Sequence, residues 1–173
     1  MRKIAANIIF PITSEPVKNG YLLIDDDNTL IKVVDTQGEI NEIAGLEYYS
    51  GILVPGLLFA SDDNNANPVF LDQLQNDYKS EHGKAARYLW SRGVEAVPEN
   101  FSFEKSFTWN IHELPKNFHE QLKQFTIKNA TKLGLQKIMG CFEPGKQPGV
   151  LLISGYDFEN KCLGADAKVL RLV

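Results

Sequence analysis

A chain of 173 residues, 43% hydrophobic and 23% charged, has the length of one domain at ~150 residues per domain and enough apolar sequence for a core without staples. Its net charge of −4 and scattered Lys and Arg argue against a nucleic-acid binder, which needs a basic face to neutralise phosphates. No apolar stretch approaches the ~20 residues of a membrane-spanning helix, and Asn7, Pro11 and Glu15 interrupt the apolar start that a signal peptide would need, so the cytoplasm is the expected compartment.

Strands are expected first. Ile4, Ala6 and Ile8 alternate with Ala5, Asn7 and Ile9 until Pro11 ends the run. Tyr21-Leu22-Leu23-Ile24 and Leu30-Ile31-Lys32-Val33-Val34 flank a cluster of turn formers, Asp25 to Thr29, which predicts a hairpin. Asp25-Asp26-Asp27 invites a calcium reading, but the alternate acidic positions, central Gly and closing Glu of an EF-hand loop are missing. A solvated hairpin tip is the better reading. A short strand at Glu47-Tyr48-Tyr49 is expected next, then an apolar run from Gly51 to Phe59.

Helices are expected in the middle. After the polar residues 61–67, Asn67 before Pro68 has the pattern of an N-cap followed by Pro at the first helical position. Phe70, Leu71, Leu74 and Tyr78 then recur at helical spacing, giving a helix over 68–92 interrupted near Gly83. Residues 94–115 read as irregular, with Phe101, Phe103, Phe107 and Trp109 as local core or a dimer contact. Phe118, Leu122, Phe125, Ile127, Ala130 and Leu133 predict an amphipathic helix over 117–133, capped by Asn117 and stopped by Gly134.

The tail returns to strands at Val150–Ile153 and Val169–Leu172, preceded by Glu143-Pro144-Gly145-Lys146, a turn with Pro at i+1 and Gly at i+2. Strands, helices, strands without an internal repeat suit an α+β fold whose two ends share one sheet system. The two cysteines, Cys141 and Cys162, are too few for a disulfide framework and read as reduced thiols.

Two segments say more than composition. One is Asn19-Gly20-Tyr21-Leu22-Leu23-Ile24, continuing to Gly51-Ile52-Leu53-Val54-Pro55-Gly56-Leu57-Leu58. The other is Ala130-Thr131-Lys132-Leu133-Gly134-Leu135 followed by Gly140-Cys141-Phe142-Glu143-Pro144-Gly145-Lys146-Gln147-Pro148-Gly149-Val150. Together they resemble the opening and closing segments of the amidohydrolase superfamily, nearest its aminodeoxyfutalosine deaminase and imidazolonepropionase-like branch. The resemblance covers about residues 1–60 and 117–173. It implies a composite β-sandwich made by the two chain ends, beside which the family places a catalytic (β/α)8 barrel.

The resemblance also implies where a metal site would lie. In the family, the Pro-Gly is followed closely by His-x-His, whose imidazoles ligate a divalent metal. Those positions fall here on Ser61 and Asp63, beside Ala60 and Asp62. Serine is not an ordinary zinc ligand, and a lone carboxylate gives neither the affinity nor the geometry of a hydrolytic site. His82, His112 and His119 have no i, i+4 partner or H-E-x-x-H arrangement with which to rebuild one. Cys141 has no His near it in sequence, and there is no G-x-S-x-G elbow, G-x-G-x-x-G or Walker A loop. No catalytic, cofactor-binding or metal residue is therefore assigned.

Length sharpens this. The stretch from Ser61 to Ala130 is far shorter than the ~200 residues that the smallest (β/α)8 barrels occupy. The expectation is one composite domain over 1–173, with a β-sandwich from 1–60 and 140–173 and a helical insert over 61–139. It would act as a non-catalytic scaffold or interaction module, as a homo-oligomer or with a protein partner covering the surface a barrel would have covered. The alternatives are a metal-dependent C–N hydrolase or deaminase completed by another subunit, and a small-ligand module built on the aromatic segment 101–109.

Overall fold

The computed structural model describes residues 1–39, 42–58, 68–69, 94–95, 114–159 and 162–173. Their centre is strand β1, Arg2–Ile9, which pairs on one side with β3, Tyr21–Ile24, and with the short β2, Val17–Lys18. On its other side β1 runs parallel to β5, Leu46–Pro55. Strand β4, Leu30–Val34, completes the predicted hairpin with β3 and forms one edge. Beyond β5 lie β8, Val150–Asp157, and β9, Cys162–Arg171, both antiparallel to their neighbours. The result is a seven-stranded mixed sheet in the order β4-β3-β1-β5-β8-β9, with β2 attached to β1. Both halves of the sequence therefore share one sheet, in a strand-rich α+β arrangement.

The hairpin tip explains its acidic residues without a ligand. The Asp25 carboxylate accepts the backbone N–H groups of Asp27 (3.0 Å) and Thr29 (2.8 Å), so the first acid closes the turn it initiates. Asn28 takes a positive φ of 63° there, a conformation Asn tolerates better than most residues.

Simple alternation along β1 does not survive. Ile4, Ala6 and Ile9 share one buried cluster, whereas Ile8 is only half-buried. The parallel register with β5 shifts between Ala6 and Ile8, a bulge that turns the following side chains to the opposite face. Asn7 lies at the bulge, and its side-chain oxygen accepts the N–H of Gly51 at 2.8 Å. The expected break between a strand at 47–49 and the next at 51–59 is likewise absent. Residues 46–55 form one strand, with Gly51 at φ 145° inside it.

Leu22, Ile24, Leu30 and Leu53 join the β1 residues from the opening half, and Phe142, Val150 and Leu152 from the closing half. Each such side chain contributes about 1.5–3 kcal/mol relative to exposure, so the two ends of the chain stabilise each other. Against the residues that follow β1 and β5 lies helix α1, Leu114–Lys123, continued by a π turn, Gln124–Lys128, and a last helical turn, α2, Asn129–Lys132. The predicted 117–133 helix is present, but it begins earlier, so Asn117 lies inside it rather than capping it. Pro115 falls in the first turn, where its missing N–H costs nothing.

The helix stops as expected at Gly134, with φ 70°. The Gly134 N–H bonds to the Thr131 carbonyl and the Leu135 N–H to that of Ala130, the paired bonds of a Schellman cap. Pro68–Val69, expected to open a helix, instead form a strand, β6, paired with β7, Val94–Glu95. The fixed φ of proline fits the first residue of a strand as well as the first turn of a helix. The rest of the 68–92 helix and the aromatic segment 101–109 lie outside the described residues. Among the described residues no helix is long and apolar enough to cross a membrane.

Candidate functional site

Three clusters lie where the opening strands meet the closing segment. The first is at the exit of β5, just beyond the Pro55-Gly56 pair. Leu57 and Leu58 are buried, and the Leu58 N–H donates to the Phe125 carbonyl at 2.7 Å. That carbonyl lies in the π turn, whose wider winding changes the ordinary helical pairing. The Leu58 carbonyl accepts from the side-chain nitrogen of Asn129 at 2.7 Å, while the Asn129 oxygen accepts from Gln124 at 3.2 Å. Asn129 is 3% exposed, so its amide is satisfied on both sides, as burial requires.

The second cluster surrounds Ile12. This β-branched residue is buried at φ 82°, a backbone conformation that costs about 1–3 kcal/mol and persists only where the surroundings impose it. They do so here through several contacts. The Phe142 N–H bonds to the Pro11 carbonyl at 3.0 Å, and His119 Nε2 lies 2.9 Å from the Ile12 carbonyl. A carbonyl only accepts, so Nε2 carries the proton. Phe10 packs edge-on against Phe118, with ring centroids 5.1 Å apart, and against His119 at 5.9 Å. His119 is thus placed in a packing position.

The third cluster is the closing loop. Gly145 has φ 86°, and the Lys146 N–H bonds to the Glu143 carbonyl at 3.2 Å, the predicted Pro-Gly turn. The loop is fastened to the β3–β4 hairpin by Gly145 N–H to Leu30 carbonyl, 2.8 Å, and Leu30 N–H to Lys146 carbonyl, 2.7 Å. The Gln147 side chain adds bonds to the Asp27 carbonyl and the Thr29 hydroxyl. Gly140, at φ 97°, brings the loop against α2 so closely that a Cβ there would lie 2.7 Å from that of Ala130.

Inside this loop the Lys146 ammonium lies 2.9 Å from Cys141 Sγ and 2.8 Å from Glu143 Oε2. Glu143 also interacts with the Cys141 thiol, and Thr13 favours its carboxylate form. Burial raises the Cys141 thiol above the ordinary cysteine range, although Lys146 pulls the other way. The Lys146 hydrogen bond holds Glu143 below the usual carboxylate range against the opposing effect of burial. Burial alone would lower Lys146, but its bonds to Cys141 and Glu143 outweigh that and keep it above the ordinary lysine range. At neutral pH the cluster is therefore a protonated thiol, an ammonium and a carboxylate.

The positions implied by the family resemblance, Ser61 and Asp63 with Asp62 beside them, lie outside the described residues, as do His82 and His112. A hydroxyl and a carboxylate without imidazoles do not fit a hydrolytic divalent-metal centre. Among the described residues no three His, Cys, Asp or Glu side chains are grouped to hold a metal ion. The Cys141–Lys146 contact was not read from the sequence. Its signal is a Cys and a Lys on either side of a Glu-Pro-Gly turn, which folds their side chains to the same place. No family model matches this chain, and no curated protein matches it.

Proposed function

We propose that this chain is a non-catalytic, amidohydrolase-like composite domain, a small β-sandwich with a helical insert in place of a barrel. It works as a scaffold or interaction module. The observation that carries this reading is the fate of β5. In the family it resembles, the Pro-Gly after this strand leads into the first barrel strand; here Leu58 hydrogen-bonds to the chain's own helix at Phe125 and Asn129. A backbone whose donor and acceptor are both engaged by α2 and the π turn has no need of a barrel strand at that point. The donor set at Ser61 and Asp63 supports the same reading.

A module of this kind acts through its surface. Tyr48, Ile31, Phe158 and Leu170 are the large apolar side chains to test first, each more than a third exposed. The expected partner is a second copy of the chain or another protein. Purified protein should retain no stoichiometric zinc or iron, show no amidase or deaminase turnover with added metal, and sediment as a concentration-dependent oligomer. Stoichiometric metal that disappears in Asp63→Ala, or turnover lost with it, would overturn the scaffold reading in favour of a hydrolase.

A further inference from the structure

The Cys141–Glu143–Lys146 cluster has the parts of a redox-dependent covalent link, and the oligomeric or catalytic status of the domain does not enter the inference. We propose that Cys141 and Lys146 are joined through one bridging oxygen atom, Sγ–O–Nζ, when the protein meets a peroxide.

The geometry supplies three requirements. Sγ and Nζ are 2.9 Å apart, a gap that a single oxygen spans with little movement of either side chain. The backbone carrying them is already fixed by the bonds to Leu30 and Pro11, so closure costs little further chain entropy. Glu143 Oε2, 2.8 Å from Nζ and interacting with the thiol, is a carboxylate beside both groups that can relay their protons to solvent one at a time as the bonds form. Cys141 has no exposed surface, which hinders bulkier thiols that would otherwise cap the sulfur. The Lys146 side chain is 14% exposed.

The balance is complete with hydrogen peroxide as the named oxidant. Two equivalents, one thiol and one neutral amine give the S–O–N link and three waters. The S–H bond and one N–H bond are broken, the S–O and O–N bonds are formed, and each peroxide accepts two electrons. Sulfenic acid is the first product expected of a thiol on this path. The proton released when the ammonium becomes an amine passes to Glu143 and then to solvent.

The full chain, treated with hydrogen peroxide and digested without reductant, tests this. The expected product is one peptide species containing both Cys141 and Lys146, heavier by one oxygen and lighter by two hydrogens. Trypsin should fail to cleave after Lys146, and dithiothreitol should restore the original mass and cleavage. Lys146→Arg keeps the charge beside Glu143 but lacks the primary amine, so it should yield oxidised Cys141 without the link. A wild-type thiol that stays unmodified, or one that proceeds to sulfinic acid with Lys146 free, overturns the proposal. Loss of two hydrogens alone, a direct S–N bond, overturns the oxygen bridge. So does the same mass change in Lys146→Arg.

Discussion

Glu47 meets the Arg2 guanidinium with both carboxylate oxygens, at 2.9 Å from Nε and 2.8 Å from Nη2, while Arg2 Nη1 reaches the Leu172 carbonyl at 2.9 Å. One side chain thus ties β1 to β5 and both to the chain's closing residues. The bond to Arg2 holds Glu47 below the usual carboxylate range, burial opposes it, and the Tyr49 hydroxyl assists. An acid whose folded-state pKa is depressed adds stability above its unfolded pKa and loses that contribution as pH falls through the folded one. Both side chains are about a third exposed, at 37% and 35%, so screening keeps the gain to about 1 kcal/mol. Glu47→Gln should therefore be less stable than the parent by that amount at pH 7. Urea titrations between about pH 5 and pH 3 should show the gap closing. A gap unchanged across that window would mean that Glu47 acts through packing rather than charge.

At the scale of elements, the decisive feature is the way β5 passes between two neighbours. Its first half pairs with β1 and its second half with both β1 and β8. Gly51 lies at the change, with φ 145° and a position at which a Cβ would come within 2.2 Å of the Ile153 carbonyl. Gly51→Ala therefore adds a collision with backbone to conformational strain, and should cost about 3 kcal/mol or more. Gly45, at φ 71° with nothing near its missing side chain, is the control: Gly45→Ala should cost only about 1 kcal/mol. Equal losses in denaturant midpoints would refute the close approach. Neither the β1 bulge nor the parallel β1–β5 pairing was legible in the sequence, because both depend on segments some forty residues apart meeting across Asn7 and Gly51. What was legible is local: the Asp25–Thr29 turn, the apolar period of the 117–133 helix, its stop at Gly134 and the Pro144-Gly145 turn each announce themselves within a few residues. The π turn did not, since its unusual winding accompanies a bond to Leu58 that no local pattern encodes. Pro68 misled because its local preferences suit two different structures. The candidate site was half legible: the turn could be read, but the contact it imposes on Cys141 and Lys146 could not.

For the whole molecule, the sheet's order makes folding a matter of bringing the ends together. Strands β1 to β5 come from the opening residues and β8 and β9 from the closing ones, and the buried cluster takes Ile4, Leu22 and Leu53 from one side and Phe142, Val150 and Leu152 from the other. Pairing of this range forms late and slowly, because loop closure must precede the contacts that reward it. The same topology predicts that continuity of the chain is not what holds the halves together. Residues 1–58 and 114–173, produced together as two separate pieces, should co-purify as a one-to-one complex through β5–β8 pairing, the loop bonds to Leu30 and the shared core. Produced alone, each piece would expose its half of that core and should be prone to aggregate. Leu152→Asp in the second piece, which places a charge in the shared cluster, should abolish co-purification. Pieces that elute separately when co-produced, or complexes indifferent to Leu152→Asp, would show that the apolar seam between the two ends is not the structural centre of the domain.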